Sequence, residues 1–274
     1  MDKNYIGIFD SGYGGLTVMK QIVGKLPEYD YIYIGDNARA PYGSRSFETV
    51  YRYTLQAVKW LFKRQCGLVI LACNTASAKA LRTIQQKDLP SLAPDRRVLG
   101  VIRPVTETFG KISRSKHIGV FATSGTVKSE SYLIETAKFF PDVKVVQEAC
   151  PLWVPLIENN DFDNDGAAFF IKRHVNSLFC KDPLIDAIVL GCTHYPIIIN
   201  QIKKYLPQGT LLIDQGEIVA DSLSDYLARH PEITSGLSLN GTRKFFTSDS
   251  TSDFDRLASL FYGQNTESVH IDFE

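Results

Sequence analysis

Apolar positions along the chain fall into two alternating kinds of segment. Short, largely apolar runs rich in Ile, Val, Leu and Tyr recur at 5–9, 31–34, 68–71, 98–101, 118–121, 143–147, 187–190 and 211–213. Runs of this kind suit strands covered on both faces, as in a parallel sheet. Between them lie longer stretches of helical period. In 47–62, Val50, Thr54, Val58 and Leu61 share one face, and 197–205 follows Pro196, a residue suited to the first turn of a helix. The alternation predicts an α/β protein built on mainly parallel strands. Beyond about Leu237 the expected pieces are a strand at 244–247, a helix at 254–261 and a strand at 269–272.

Two pieces of the chain are echoed. LVILACNT at 68–75 resembles AIVLGCTH at 187–194, and IGIFDSG at 6–12 resembles IGVFATSG at 118–125. Cys73 and Cys192 stand 119 residues apart, Ile6 and Ile118 stand 112 apart, and the order is kept. Either pair alone is what shared strand composition would produce; the ordered pairs together point to duplicated halves. The expected fold is therefore α/β, with two pseudo-symmetric domains whose mainly parallel sheets face a shared cleft. The clearest break in periodicity is 87–97, where Pro90, Pro94 and charged residues interrupt it.

Composition narrows the class of function. The 274 residues suffice for one large domain or two medium ones. Thirty Lys and Arg balance thirty Asp and Glu, so no surplus positive field marks nucleic acid as a main partner or an anionic membrane as a surface to bind. No apolar run approaches the roughly 20 residues of a membrane span, and the start MDKNYIGIFDSG lacks a basic-then-apolar leader, so a cytoplasmic protein is expected. Five cysteines, odd in number and without a C-x-x-C pair, do not form a disulfide scaffold.

Individual thiols matter more. In open parallel sheets ligands bind beyond the carboxyl ends of the strands, where the chain turns into helices. Asp10, Cys73, Thr123 and Cys192 all occupy that place. A cysteine at a helix N-terminus meets the positive end of the backbone dipole, which favours thiolate. Cys73 before Asn74 and Thr75, and Cys192 before Thr193 and His194, fit that description. Cys66, Cys150 and Cys180 lack such context and read as small buried hydrophobes. The SGYGG stretch after Asp10 could offer N–H groups to an anion, although its spacing is neither that of a dinucleotide fingerprint nor a Walker loop.

Other polar residues gather around the same places. The loop DNARAPYG at 36–43 can line the rim, and His194 could orient or protonate a substrate, because an unperturbed imidazole titrates near neutral pH. The remaining histidines show no ligand spacing, so no metal is expected. Glu158 reads by itself as a solvated carboxylate at a helix end. Three classes stay open on these residues: proton transfer at a carbon by two thiols, a cysteine-nucleophile enzyme such as an amidase with His194 as base, and a two-lobed binding protein without chemistry.

The segments FDSGYGGLTV (9–18), GDNARAPYG (35–43), ACNTASA (72–78) and LGCTHYP (190–196), in this order, resemble the glutamate racemases of the aspartate/glutamate racemase superfamily. The resemblance implies cofactor-independent interconversion of L- and D-glutamate, supplying D-glutamate for peptidoglycan precursors, with a homodimer as the expected assembly. Carried onto this chain, it implies that Cys73 and Cys192 are the two bases, one taking the α-proton and the other returning one to the opposite face. Asp10 and His194 would assist their respective thiols, with Glu158 a further candidate for that work. Ser11, Tyr42, Gly43, Asn74, Thr75 and Thr193 match substrate-binding positions beside Asp10 and His194, and Thr123 and Thr126 are expected to help. The resemblance also implies a discontinuous first domain, 1–97 plus 210–274, around a second at 98–209. Tyr13, Asn37 and Gln215 depart from the family pattern.

Overall fold

The apolar runs form strands in a computed structural model that describes residues 4–273. These are β1 (Tyr5–Asp10), β2 (Tyr31–Gly35), β3 (Cys66–Leu71), β4 (Arg97–Gly100), β5 (His117–Ala122), β6 (Lys144–Ala149), β7 (Ala187–Gly191), β8 (Leu211–Ile213), β9 (Arg243–Thr247) and β10 (Ser268–His270). Each expected strand is present to within a few residues. Every residue of β2, β3 and β7 is buried, as strands covered on both faces require. All pairings between named strands are parallel.

The strands form two sheets, ordered β10-β9-β2-β1-β3-β4 and β6-β5-β7-β8. Without the two appended strands, the first sheet reads β2-β1-β3-β4, which is the order of the second, strand for strand. In each unit the chain steps to one side of its first strand and later crosses to the other. That reversal opens a crevice at the carboxyl ends, between β1 and β3 in one unit and between β5 and β7 in the other. The echoed sequence pieces are these crevice-forming strands.

The sheets change over later than the expected boundaries at 97/98 and 209/210. β4 pairs with β3 from Leu68↔Arg97 to Leu71↔Gly100, and β8 pairs with β7 from Ala187↔Leu211 to Val189↔Ile213. The broken stretch 87–97 therefore lies inside the β3-to-β4 crossover, where Pro90 sits in the first turn of the short helix Leu89–Leu92.

Helix Phe47–Lys63 buries Val50, Thr54, Val58 and Leu61 and is capped by Ser46, whose side chain accepts the Thr49 N–H. The expected helix at 197–205 is instead a 3-10 turn, Tyr195–Ile198, with Pro196 near its start, followed by a helix at Ile199–Lys203. Helix Gln215–Arg229 packs against Gly15–Lys25 and Ile102–Thr106. Its Val219, Ala220, Leu223 and Leu227 join an apolar core that contains residues of both sheets. No helix among the described residues is long and apolar enough to cross a membrane.

Candidate active site

The two crevices meet at one cavity of about 100 Å³. Ser11, Tyr42, Gly43, Cys73, Asn74 and Thr75 reach it from the first unit. Thr123, Glu158, Cys192, Thr193 and His194 reach it from the second. Two expected residues stand behind the wall. Asp10 is fully buried, and Thr126, also fully buried, holds its hydroxyl 3.1 Å from that of Thr123 and 3.4 Å from that of Thr75.

Cys73 is the N-cap of helix Asn74–Lys79, and its sulfur accepts the Ala76 N–H at 3.4 Å with the Ser11 hydroxyl 3.3 Å away. The expectation that this position favours thiolate is not met. Burial pushes the Cys73 thiol up to about 12, the Asp10 carboxylate adds to the shift, and the bonds from Ser11 and Ala76 only partly offset it. A helix of six residues has little dipole to set against the loss of solvent. The Asp10 carboxyl is itself raised by burial, although His194, the Gly12 N–H at 2.9 Å and the Thr193 hydroxyl at 3.3 Å favour its charged form.

Cys192 does not head an α-helix; it leads through Thr193 and His194 into the 3-10 turn. The Nε2 of His194 lies 2.8 Å from Glu158 Oε1. Burial disfavours a charged imidazole here, but the Cys192 sulfur and Glu158 outweigh it and push His194 up to about 10. The other ring nitrogen, Nδ1, is buried without a hydrogen-bond partner. Gly14 leaves room for it: a Cβ at Gly14 would lie 2.3 Å from Nδ1 and from Thr193 Oγ1. The Thr17 hydroxyl sits 2.9 Å from the Thr193 carbonyl, tying this turn to helix Gly15–Lys25.

The loop carrying Tyr42 is held from below. Tyr42 donates to the buried Asp36, which also accepts from Arg39 Nε at 2.7 Å and from the Ser248 hydroxyl at 2.8 Å. The three departures from the family pattern find partners too. Gln215 and Asn74 exchange amide hydrogen bonds of 2.8 Å in each direction, with the Tyr132 hydroxyl 3.0 Å from Asn74 Nδ2. Tyr13 lies between Phe254 and Phe261, and Asn37 accepts from Thr247 at 3.0 Å.

Cys66 and Cys150 are buried as expected, but Cys180 is exposed, because it falls on the outer side of helix Asp165–Lys181. Pro41 lines the cavity as part of the expected rim loop, but sequence reasoning missed the wall made by Cys150, Pro151, Val154 and Pro155. Cys150 directly follows β6, so the strand-end position that singled out the other residues was the available signal. No group of three or more His, Cys, Asp or Glu among the described residues is arranged to hold a metal.

A profile of the Asp/Glu/Hydantoin racemase family matches residues 6–223. The chain is 40% identical over 266 residues to a glutamate racemase of Geobacter metallireducens, covering 97% of this chain and 95% of that one. It superposes on a glutamate racemase isoform of Bacillus anthracis with a TM-score of 0.89 at 34% identity, covering 99% of this chain and 98% of the other. The glutamate racemase of Francisella tularensis, solved in complex with D-glutamate, gives a TM-score of 0.88 at 30% identity over 100% and 99% of the two chains. The cavity with its two sulfurs thus belongs to a chain similar to these proteins over its whole length, and the chain is a member of the glutamate racemases, amino-acid isomerases of the Asp/Glu/Hydantoin racemase family.

Proposed function

We propose that the protein racemises glutamate by passing α-protons through the Cys73 and Cys192 sulfurs, without a bound cofactor. The observation that carries this is that both sulfurs line one cavity, each contributed by the matching strand end of a duplicated unit. A lone base would have to cross the substrate plane to return a proton to the opposite face. Two acids on either side of one carbon avoid that. The Ser11, Thr75, Thr123 and Thr193 hydroxyls in the wall can stabilise charge that develops on the α-carboxylate in the transition state.

The two sulfurs have different surroundings. Cys73, pushed up to about 12, keeps its proton at neutral pH and serves as the acid. His194, pushed up to about 10 and held by Glu158, supplies the positive charge beside Cys192, which serves as the base. Turnover exchanges the roles. Asp10 assists from behind Cys73, and Asn74, Tyr42, Gly43 and Thr126 complete the binding wall directly or through their neighbours.

The choice of glutamate is supported by the Francisella tularensis relative solved with D-glutamate. We take the functional units to follow the sheets, with residues 4–100 and 214–273 in the first and 101–213 in the second. Supply of D-glutamate for peptidoglycan precursors in the cytoplasm, by a homodimer, belongs to the same reading. Rescue of a D-glutamate auxotroph and sedimentation of the purified protein test those parts.

Incubation with one enantiomer of glutamate in deuterated water, without added cofactor, tests the chemistry. Loss of optical rotation with deuterium entering at Cα is the expected result. Absence of both overturns the proposal, and so does a requirement for added pyridoxal phosphate or metal.

A further inference from the structure

The proposed substrate carries two carboxylates, yet the cavity wall contains no lysine or arginine; its acidic and imidazole side chains are Glu158 and His194. A cation stands just behind it. Lys79, the last residue of helix Asn74–Lys79, is 9% exposed, and no other lysine or arginine among the described residues is buried. Its ammonium donates to the Arg45 carbonyl at 2.6 Å. Among the described residues no carboxylate pairs with it. Burial, with Lys128 nearby, lowers its pKa from the ordinary value. A buried ammonium without a counter-charge is costly to the fold.

Its position relates that cost to the cavity. The Gly125 N–H donates to the Gly43 carbonyl at 2.7 Å, joining the two units where Gly43 and Thr123 line the cavity. A Cβ placed on Gly125 would lie 2.9 Å from Lys79 Nζ and 2.7 Å from the Gly43 oxygen, so the ammonium flanks this junction. We propose that Lys79 is the counter-charge for one carboxylate of a dicarboxylate substrate, acting across the Gly43–Gly125 junction without touching the ligand. It is a positioning residue that selects dicarboxylate ligands over analogues of the same shape with one carboxylate made neutral. The inference rests on the glutamate reading above, and its test does not need turnover.

Calorimetry with glutarate and with its monoamide, which keeps the shape and loses one charge, is run on wild-type protein, Lys79→Met and Lys79→Arg. Lys79→Met is expected to weaken glutarate about tenfold and the monoamide by no more than about twofold, as a Coulombic effect across a few ångströms of protein requires. Lys79→Arg should keep most of the glutarate affinity. In racemisation assays Lys79→Met should raise KM for glutamate with little change in kcat. Equal weakening of both ligands makes Lys79 a packing strut and overturns the proposal, as does wild-type protein that binds glutarate no better than the monoamide. If Lys79→Met does not fold, Lys79→Gln carries the same comparison. Wild-type protein that prefers glutarate but racemises nothing would refute the proposed reaction and leave the role of Lys79 standing.

Discussion

Cys73 and Cys192 come from matching places in two copies of one four-strand unit, and the copies surround them differently. Cys73 caps a helix and takes bonds from Ala76 and Ser11, with a buried carboxyl behind it. Cys192 enters a 3-10 turn and meets an imidazole that a carboxylate holds. The first surrounding keeps a thiol protonated, and the second brings a positive charge to a sulfur. Duplication thus supplies two equivalent positions, while the side chains that differ between the copies give each sulfur its own surroundings. The proposed two-thiol reaction needs one acid and one base at a time, because two neutral thiols contain no base and two thiolates contain no acid.

The largest way to break this comparison is to remove either sulfur. Cys73→Ser and Cys192→Ser are each expected to lower racemisation by roughly 10³-fold or more, measured by circular dichroism, since a hydroxyl is a far weaker acid than a thiol. One single variant with full activity would make the pairing of the two sites untenable.

Glu158→Gln frees His194 and should reduce kcat by about 10- to 100-fold, the scale of an assisting acid or base. The enantiomers have equal free energy, so kcat/KM must stay equal in both directions, and the asymmetry appears in kcat and KM separately. Glu158→Gln and Asp10→Asn are expected to shift the ratio of forward to reverse kcat in opposite senses. Identical ratios from progress curves begun with each enantiomer would mean that the two sides are equivalent.

Gly14→Ala tests the room left for His194. Its backbone, at φ −57° and ψ −36°, is ordinary for alanine, so the effect is steric rather than conformational. The added methyl would lie 2.3 Å from His194 Nδ1 and should cost about 1–3 kcal/mol of stability, read by urea unfolding, with a fall in kcat.

A comparable effect is on stability against pH. His194 is raised from 6.5 to about 10 in the folded protein, so its contribution is full below pH 6.5 and is lost as pH rises toward 10. His194→Asn should flatten the stability profile over that window by on the order of 1–3 kcal/mol. An unchanged slope in urea titrations would show that this ring carries no extra proton.

Much of the architecture was legible because parallel strands are written as apolar runs, and all eight runs and both expected tail strands appear as strands. The cavity was legible because residues just past those strands can reach a shared crevice, as Ser11, Cys73, Thr123 and Cys192 do. The less legible parts depend on partners distant in the chain. Gln215 meets Asn74 across 141 positions, and Glu158 reaches His194 across 36. The exposure of Cys180 and the 3-10 turn after Cys192 likewise depend on how each segment packs rather than on its local pattern.

By itself the sequence determined the alternation of strand and helix, the duplicated order, and the placing of one cysteine at each equivalent strand end, because periodicity and local turn chemistry are properties of neighbouring residues. Only the tertiary structure decided that the cysteines share one cavity, that burial protonates Cys73, and that His194 keeps its charge between Glu158 and Cys192. Solvent exclusion and charge proximity are set by groups that folding brings together from far along the chain.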